Sequence, residues 1–370
     1  MKARTETQRR KLKAGDWVEV RSREEILARL DAKGQLEGIP FMPEMFRFCG
    51  QRFQVYKRAH KTCDTVFPVR GRRVHRAVHL NTRCDGSAHG GCQAGCLIFW
   101  KEAWLKLVND KLGETVSSSA TAPANPARCT ESCVNEATQR LDAETGTPVY
   151  SCQATQLPYF TSNLNWWDIR QYIEDYRSGN VGLRRIIAGL VYSLYYNLSE
   201  AGIGFGAPMR WLYDRIAPLW TKTRFPRHAG PIPVGRPTPT GTRNLRPGEV
   251  VRVKSHEEIL STLNEESRNR GLRWDAEMVP YCGGTYRVLK RVTKIINERT
   301  GRMQEIKNPC MILDSVFCQS RYSACRMFCP RSIYSYWREI WLDKVEEPPP
   351  TVKDVTRTSS QVAAPMVVEK

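Results

Sequence analysis

The chain of 370 residues, 41% hydrophobic and 9% aromatic, is long enough for two or three independent cores and has the apolar content of ordinary globular protein. Its 57 Lys and Arg against 38 Asp and Glu leave a net charge of +19, which points to anionic company such as nucleic acid, phospholipid or an acidic protein. Met1 to Lys13 is charged throughout and lacks the apolar core of a secretory signal, and the longest apolar stretch, Ile186 to Leu198, is too short to span a bilayer; a cytoplasmic protein with no transmembrane segment is expected.

The first element in the chain recurs. Leu12 to Arg58 aligns without a gap on Leu245 to Arg291, a constant offset of 233, with 18 of the 47 columns identical. Shared columns include Gly15/Gly248, Val18/Val251, Val20/Val253, Ser22/Ser255 and Cys49/Cys282. The likeness resumes, gapped, at Cys84, Cys92 and Cys96 against Cys318, Cys325 and Cys329, and closes on Trp100 and Trp104 against Trp337 and Trp341. Two copies of one domain therefore flank a unique middle.

Each copy opens with a glycine turn and a short strand alternating Val18 and Val20, or Val251 and Val253. Ser22 with Glu25, and Ser255 with Glu258, form capping boxes that predict a helix of about two turns ending near Leu30 and Leu263. FCGQRFQVYKR and YCGGTYRVLKR then read as a strand with one wet, cationic face, followed in the second copy by a hairpin turning at Glu298 to Gly301. A further strand (Arg76 to Thr82, Cys310 to Phe317) leads into the cysteine cluster and a closing helix. On that helix Trp100 and Trp104 share a face packed on the sheet, leaving Glu102 and Glu339 to pair with the basic strands. The expected class is α+β: a tandem repeat of a small β-barrel or roll of the SH3-like kind with short helices and a Cys-rich metal site, flanking a mainly helical middle segment.

The corresponding division is a first repeat domain 1–112, a flexible linker 113–128, a helical middle segment 129–222, a Pro/Arg-rich linker 223–243, a second repeat domain 244–345 and a disordered tail 346–370. In the middle, Ile186, Ile187, Leu190, Val191, Leu194, Tyr195 and Leu198 fall on one helical stripe. It reads as the buried face of a core helix, with a membrane-surface helix edged by Arg184 and Arg185 as the alternative.

Thirteen cysteines, an odd number without an export signal and with CxxxC spacings, favour metal over disulfides. The four matched in each copy make two closed tetrahedral zinc sites: Cys49, Cys84, Cys92 and Cys96, and Cys282, Cys318, Cys325 and Cys329. An iron-sulfur cluster would use the same thiolates, and small buried hydrophobes are the alternative reading of Cys49 and Cys282. His60, Cys63, His89 and Cys310 are competing ligands, while Cys129, Cys133 and Cys152 lack an obvious fourth. A metal- or thiol-dependent enzyme of a specialised biosynthetic pathway would have its site in the first repeat, which holds His60, His75, His79 and His89, but no complete nucleophile, base and orienter can be read from the spacing.

Between Arg47 and Arg83 ten Lys and Arg residues face one acid, Asp64, interleaved with Phe48, Phe53, Tyr56 and Phe67. Cations for phosphates and rings for bases suit nucleic acid, with Arg52, Lys57, Arg58, Lys61, Arg72, Arg73, Lys290 and Arg291 as the anion-binding set. The functional expectation is a metal-stabilised tandem-domain protein that binds an anionic macromolecule, nucleic acid ahead of an acidic protein, with the enzyme and a protein-docking scaffold as rivals.

Overall fold

The computed structural model describes residues 10–66, 71–108, 129–200, 204, 206–216, 225–226, 229–323 and 326–345; the predicted linker 113–128, the tail 346–370, Phe67 and Cys325 lie outside the described residues. Helix and strand are mixed throughout, as an α+β chain requires.

The first unit starts with β1 (Trp17–Val20), whose Val18 and Val20 point into the core while Trp17 and Glu19 lie nearer solvent. Ser22 caps α1 (Arg23–Leu27): its hydroxyl accepts from Glu25 N–H and the Glu25 carboxylate accepts from Ser22 N–H. A tight hairpin of β2 (Gln35–Leu36) and β3 (Ile39–Pro40) leads into a 3-10 turn over Pro43–Phe48. There follow β4 (Arg52–Gln54), β5 (Lys57–Arg58), β6 (Lys61–Cys63), β7 (Gly71–Arg73) and β8 (Ala77–His79). The cysteine loop returns the chain to β9 (Trp100–Lys101), a 3-10 turn over Glu102–Trp104, and β10 (Leu105–Leu107). The sheets run β10-β1-β4 and β5-β8-β9.

The middle segment is less helical than its pattern suggests. It holds α2 (Glu131–Glu136), the hairpin β11 (Gln139–Leu141) and β12 (Pro148–Tyr150), α3 (Leu157–Phe160), β13 (Ser162–Leu164), α4 (Arg170–Arg177), α5 (Leu183–Glu200) and α6 (Gly206–Ile216). Strand β13 joins β7 and β6 in a three-stranded sheet, and Val134, Leu157 and Phe160 enter the core of the first unit.

The second unit contains β14 (Val250–Val253), α7 (His256–Leu260) with its Ser255–Glu258 capping box, β15 (Arg268–Asn269), β16 (Leu272–Arg273) and a 3-10 turn over Ala276–Tyr281. A long hairpin of β17 (Thr285–Ile296) and β18 (Met303–Leu313) turns through Gly301, as expected for this stretch. The chain closes with β19 (Trp337–Arg338), a 3-10 turn over Glu339–Trp341, and β20 (Leu342–Lys344). Strand partners in the two units include Val18 facing Phe53 and Val251 facing Tyr286, and Arg58 facing Val78 and Arg291 facing Met311.

Three expectations change. No closed barrel forms among the described residues: the second unit is an open sheet, β19-β18-β17-β14-β20, whose two edge strands are joined by the 3-10 turn between them. The tryptophan segments are strand, 3-10 turn and strand rather than a helix, yet Trp100, Trp104, Trp337 and Trp341 are all fully buried. Extended backbone lets Trp100 pair opposite Val78, and Trp337 opposite Met311, so hydrogen bonding to the sheet prevails over the helical spacing. The stripe of α5 is turned outward: Ile186 is buried, but Ile187, Leu190, Val191, Leu194 and Leu198 are exposed, Leu194 at 63%. The inward side of α5 carries Ser193 and Ser199, with Gly189 against the Phe328 ring.

The predicted linker 223–243 is docked where it is described. Gly230 N–H donates to Asn264 O, Asn269 Nδ2 to Pro239 O, and Arg270 N–H to Thr238 Oγ1. Each unit keeps its own apolar cluster, built around Trp100 and Trp104 or around Trp274, Trp337 and Trp341. A third small cluster joins Tyr172, Val181 and Ile186 to Met327 and Phe328.

Candidate metal centre

The first cysteine loop leaves β8 and folds back on itself before β9. Cys84 N–H donates to Cys96 O (2.9 Å), and between these ends His89 N–H and Gly91 N–H both donate to Gly86 O. Gly86 has φ +75°, and a Cβ there would lie 2.1 Å from the Cys92 carbonyl oxygen, so the loop closes only with glycine at this position. Cys92 and Cys96 stand on irregular backbone rather than on the helical turn their spacing suggests.

The loop closes over Glu44, which the 3-10 turn Pro43–Phe48 presents from below. Glu44 Oε1 accepts from His89 Nδ1 (2.7 Å), Ala88 N–H (3.2 Å) and the Cys84 thiol (3.7 Å). The second carboxylate oxygen, Oε2, is buried without a partner, a costly state for a group of this charge. Burial by itself raises the Glu44 pKa, but the hydrogen bond and charge of His89, together with backbone N–H donors including that of Ala88, hold the carboxyl below its ordinary value.

Glu44, Cys84 and His89 place one oxygen, one sulfur and one nitrogen within 4.8 Å of one another, a group able to hold a metal ion. Zn–N and Zn–O bonds of about 2.0 Å and a Zn–S bond of about 2.3 Å set tetrahedral ligand atoms roughly 3.3–3.5 Å apart. The observed contacts bracket that spacing. Beside the triad lies a cavity of about 30 Å³ lined by Cys84, His89, Cys92, Cys96 and Cys152, room for a single water-sized body or ion. Burial pushes the thiols of Cys84 and Cys96 up, Cys96 to about 12, so each keeps its proton near neutrality.

His89 Nε2 faces Ser151 O at 3.2 Å, so both ring nitrogens point at oxygen acceptors. The ring is set to donate or to ligate, and is poorly placed to take a proton from a thiol.

Of the predicted ligands, the structure gathers Cys84, Cys92, Cys96 and the alternative His89. It leaves Cys49 packed on the first core and Cys282 on the second, where they act as small apolar side chains. Cys310 is buried on β18, its sulfur 3.3 Å from Arg338 Nη1, and Cys129 and Cys133 lie together against the first core. Cys318 and Cys329 approach Cys63 instead of Cys282. Spacing alone does not single out Cys152 or Glu44, although Glu44 aligns on an identical Glu277 at the offset of 233.

The basic strand is largely turned to internal use. Arg58 is buried and pairs with Glu102 (2.6 Å) and Glu174 (3.2 Å), and Lys61, 3% exposed, donates to Asp175 (2.6 Å) and Gln171. Arg72 binds Asp64 and Thr161, Arg73 binds Asp168, and Arg291 pairs with Glu339. His60 Nε2 lies 3.2 Å from Asp175 Oδ1 but out of line for a hydrogen bond. Buried cations need buried acids, and the middle segment supplies them. Arg52 remains exposed with an ion pair to Glu19, Lys57 sits 5.0 Å over the Tyr56 ring, and Lys290 is half-buried.

No family model, curated protein or solved structure matches this chain. No helix among the described residues is long and apolar enough to cross a membrane.

Proposed function

We propose that the chain is a metal-stabilised binding protein built from a duplicated SH3-like roll, in which a zinc ion fixes the first cysteine loop. The observation that carries this reading is the close group of Glu44, Cys84 and His89 beside a small cavity lined by Cys84, His89, Cys92, Cys96 and Cys152. A mixed sulfur, nitrogen and oxygen donor set suits zinc, whereas an iron-sulfur cluster takes thiolates, with histidine in some centres, and would leave the Glu44 carboxylate without a part. The placement of His89 supports a structural centre over a thiol enzyme, because neither ring nitrogen faces a sulfur as an acceptor.

The charge of +19 supports an anionic partner, with nucleic acid ahead of an acidic protein. The binding surface in this reading moves away from Arg58, Lys61, Arg72 and Arg73, which are committed to internal acids, and toward exposed Arg252, Arg268, Arg270 and Arg273 of the second unit. The test is titration of the full-length chain with a single-stranded oligonucleotide over a range of salt, together with elemental analysis. Reversing Arg252, Arg268 and Arg273 to glutamate should weaken binding and flatten its salt dependence, by about one released counterion per lost phosphate contact. No affinity at low salt overturns the anionic partner, and protein purified without zinc overturns the centre.

A further inference from the structure

We propose that Cys63 of the first unit joins Cys318 and Cys329 of the second in another soft-metal site, so that one thiolate-seeking divalent cation staples the two units together. The proposal shares with the reading above only the class of metal, since none of its ligands belongs to the first centre.

Cys63 ends β6 and is buried, and its backbone N–H donates to the buried Cys329 sulfur at 3.1 Å. Cys318 and Cys63 line a cavity of about 190 Å³ together with Glu277 and Ser320. Glu277 is the residue 233 positions after Glu44 and is 3% exposed. Its Oε1 accepts from Tyr322 N–H at 2.5 Å, while Oε2 has no hydrogen-bond partner among the described residues. An unpartnered carboxylate oxygen buried in a cavity lined by thiols is the environment that a cation satisfies.

The two cysteine loops are capped reciprocally. Ile296 lies 233 positions after Cys63, and its N–H donates to Cys92 Sγ of the first loop at 3.4 Å. Each unit therefore lays a strand end across the other's cysteine loop, but only the first unit's strand brings a thiol. Arg331 stands between the clusters: it is buried, lines the first cavity, and pairs with Glu298 at 2.9 Å. Its fixed positive charge sits beside the thiols that line the first cavity. Binding requires no redox partner, because each metal–sulfur bond forms as its thiol gives up a proton to water.

The experiment uses the full chain loaded with zinc, and in parallel with Co(II), whose thiolate charge-transfer absorption reports sulfur ligation. Cys63→Ala should lose about one metal equivalent and part of that absorption, while Cys84→Ser loses a different equivalent. Loss in Cys63→Ala with retention in Cys84→Ser supports this site and overturns the first centre, and the reverse pattern overturns this site alone. A Cys63–Cys329 disulfide found by mass spectrometry of the unreduced protein would overturn it as well. If Cys63→Ala does not fold, alkylation of the native chain decides: Cys63 should take up label only after a chelator is added, and labelling that ignores the chelator defeats the proposal.

Discussion

Lys61 and Lys294 lie 233 positions apart, the offset that aligns Leu12–Arg58 on Leu245–Arg291, yet one is buried and the other half-exposed. In the first unit α4 roofs the strand, placing Asp175 and Gln171 on the Lys61 ammonium and the Tyr172 ring 5.0 Å from it. In the second unit the matching strand runs on as β17, and Lys294 reaches across to donate to Gly90 O of the first cysteine loop at 2.8 Å. The same side chain is thus a buried ion-pair partner in one copy and a bridging donor in the other. What separates them is the middle segment, which covers one unit and leaves the counterpart strand of the other to face its neighbour.

Removing the roof's acid should have the largest effect. Asp175→Ala leaves Lys61 charged and unpaired in the interior and should cost about 3–5 kcal/mol in denaturant unfolding, whereas Lys294→Ala, at a half-exposed site, should cost under about 1 kcal/mol. Equal costs at the two sites would erase the distinction drawn here.

A second difference is one of pH. His79 of the first unit and Ile312 of the second occupy equivalent buried positions. Burial pushes the His79 imidazole down to about 3, outweighing its hydrogen bond to Ile98 O, with the positive charges of Lys57, Arg331 and Arg83 acting in the same direction as burial. The unfolded chain takes up a proton below about pH 6.5 and the native one does not until about pH 3, so the stability from this group is complete above pH 6.5 and is lost as pH falls toward 3. At pH 5 the loss should be about 2 kcal/mol relative to pH 7.5. His79→Leu should reduce that pH-dependent loss, and denaturation curves at the two pH values for both proteins measure it.

The smallest effect is expected on the outward stripe of α5. Leu194→Gln should change stability by no more than about 0.5 kcal/mol, because the side chain already faces solvent. A cost of several kcal/mol would mean that this face is covered in solution.

Much of the local structure was legible. The two capping boxes, the alternating valines, the β17–β18 hairpin and the pairing of Glu102 and Glu339 with Arg58 and Arg291 all follow from contacts within a few residues or from matched columns. The tryptophan segments were misread because i, i+4 spacing is compatible with a short strand, a 3-10 turn and another strand when both rings enter the same core. The outward stripe of α5 was misread because periodicity states which residues share a face and says nothing about where that face points.

The same division runs through the site. Sequence by itself determined the loop: Cys84, Cys92 and Cys96, matched by Cys318, Cys325 and Cys329 in the gapped alignment, with glycines where the first loop must turn back sharply. Only the tertiary structure decided which groups meet that loop. It exchanged Cys49 for Cys152, brought Glu44 beneath His89, and set Cys63 against Cys329 across 266 positions of sequence. Donor type and local turn are encoded by neighbouring residues, whereas the ligand set depends on which distant strand is packed across the loop, a choice made by the apolar clusters and buried ion pairs that hold the two units and the middle segment in contact.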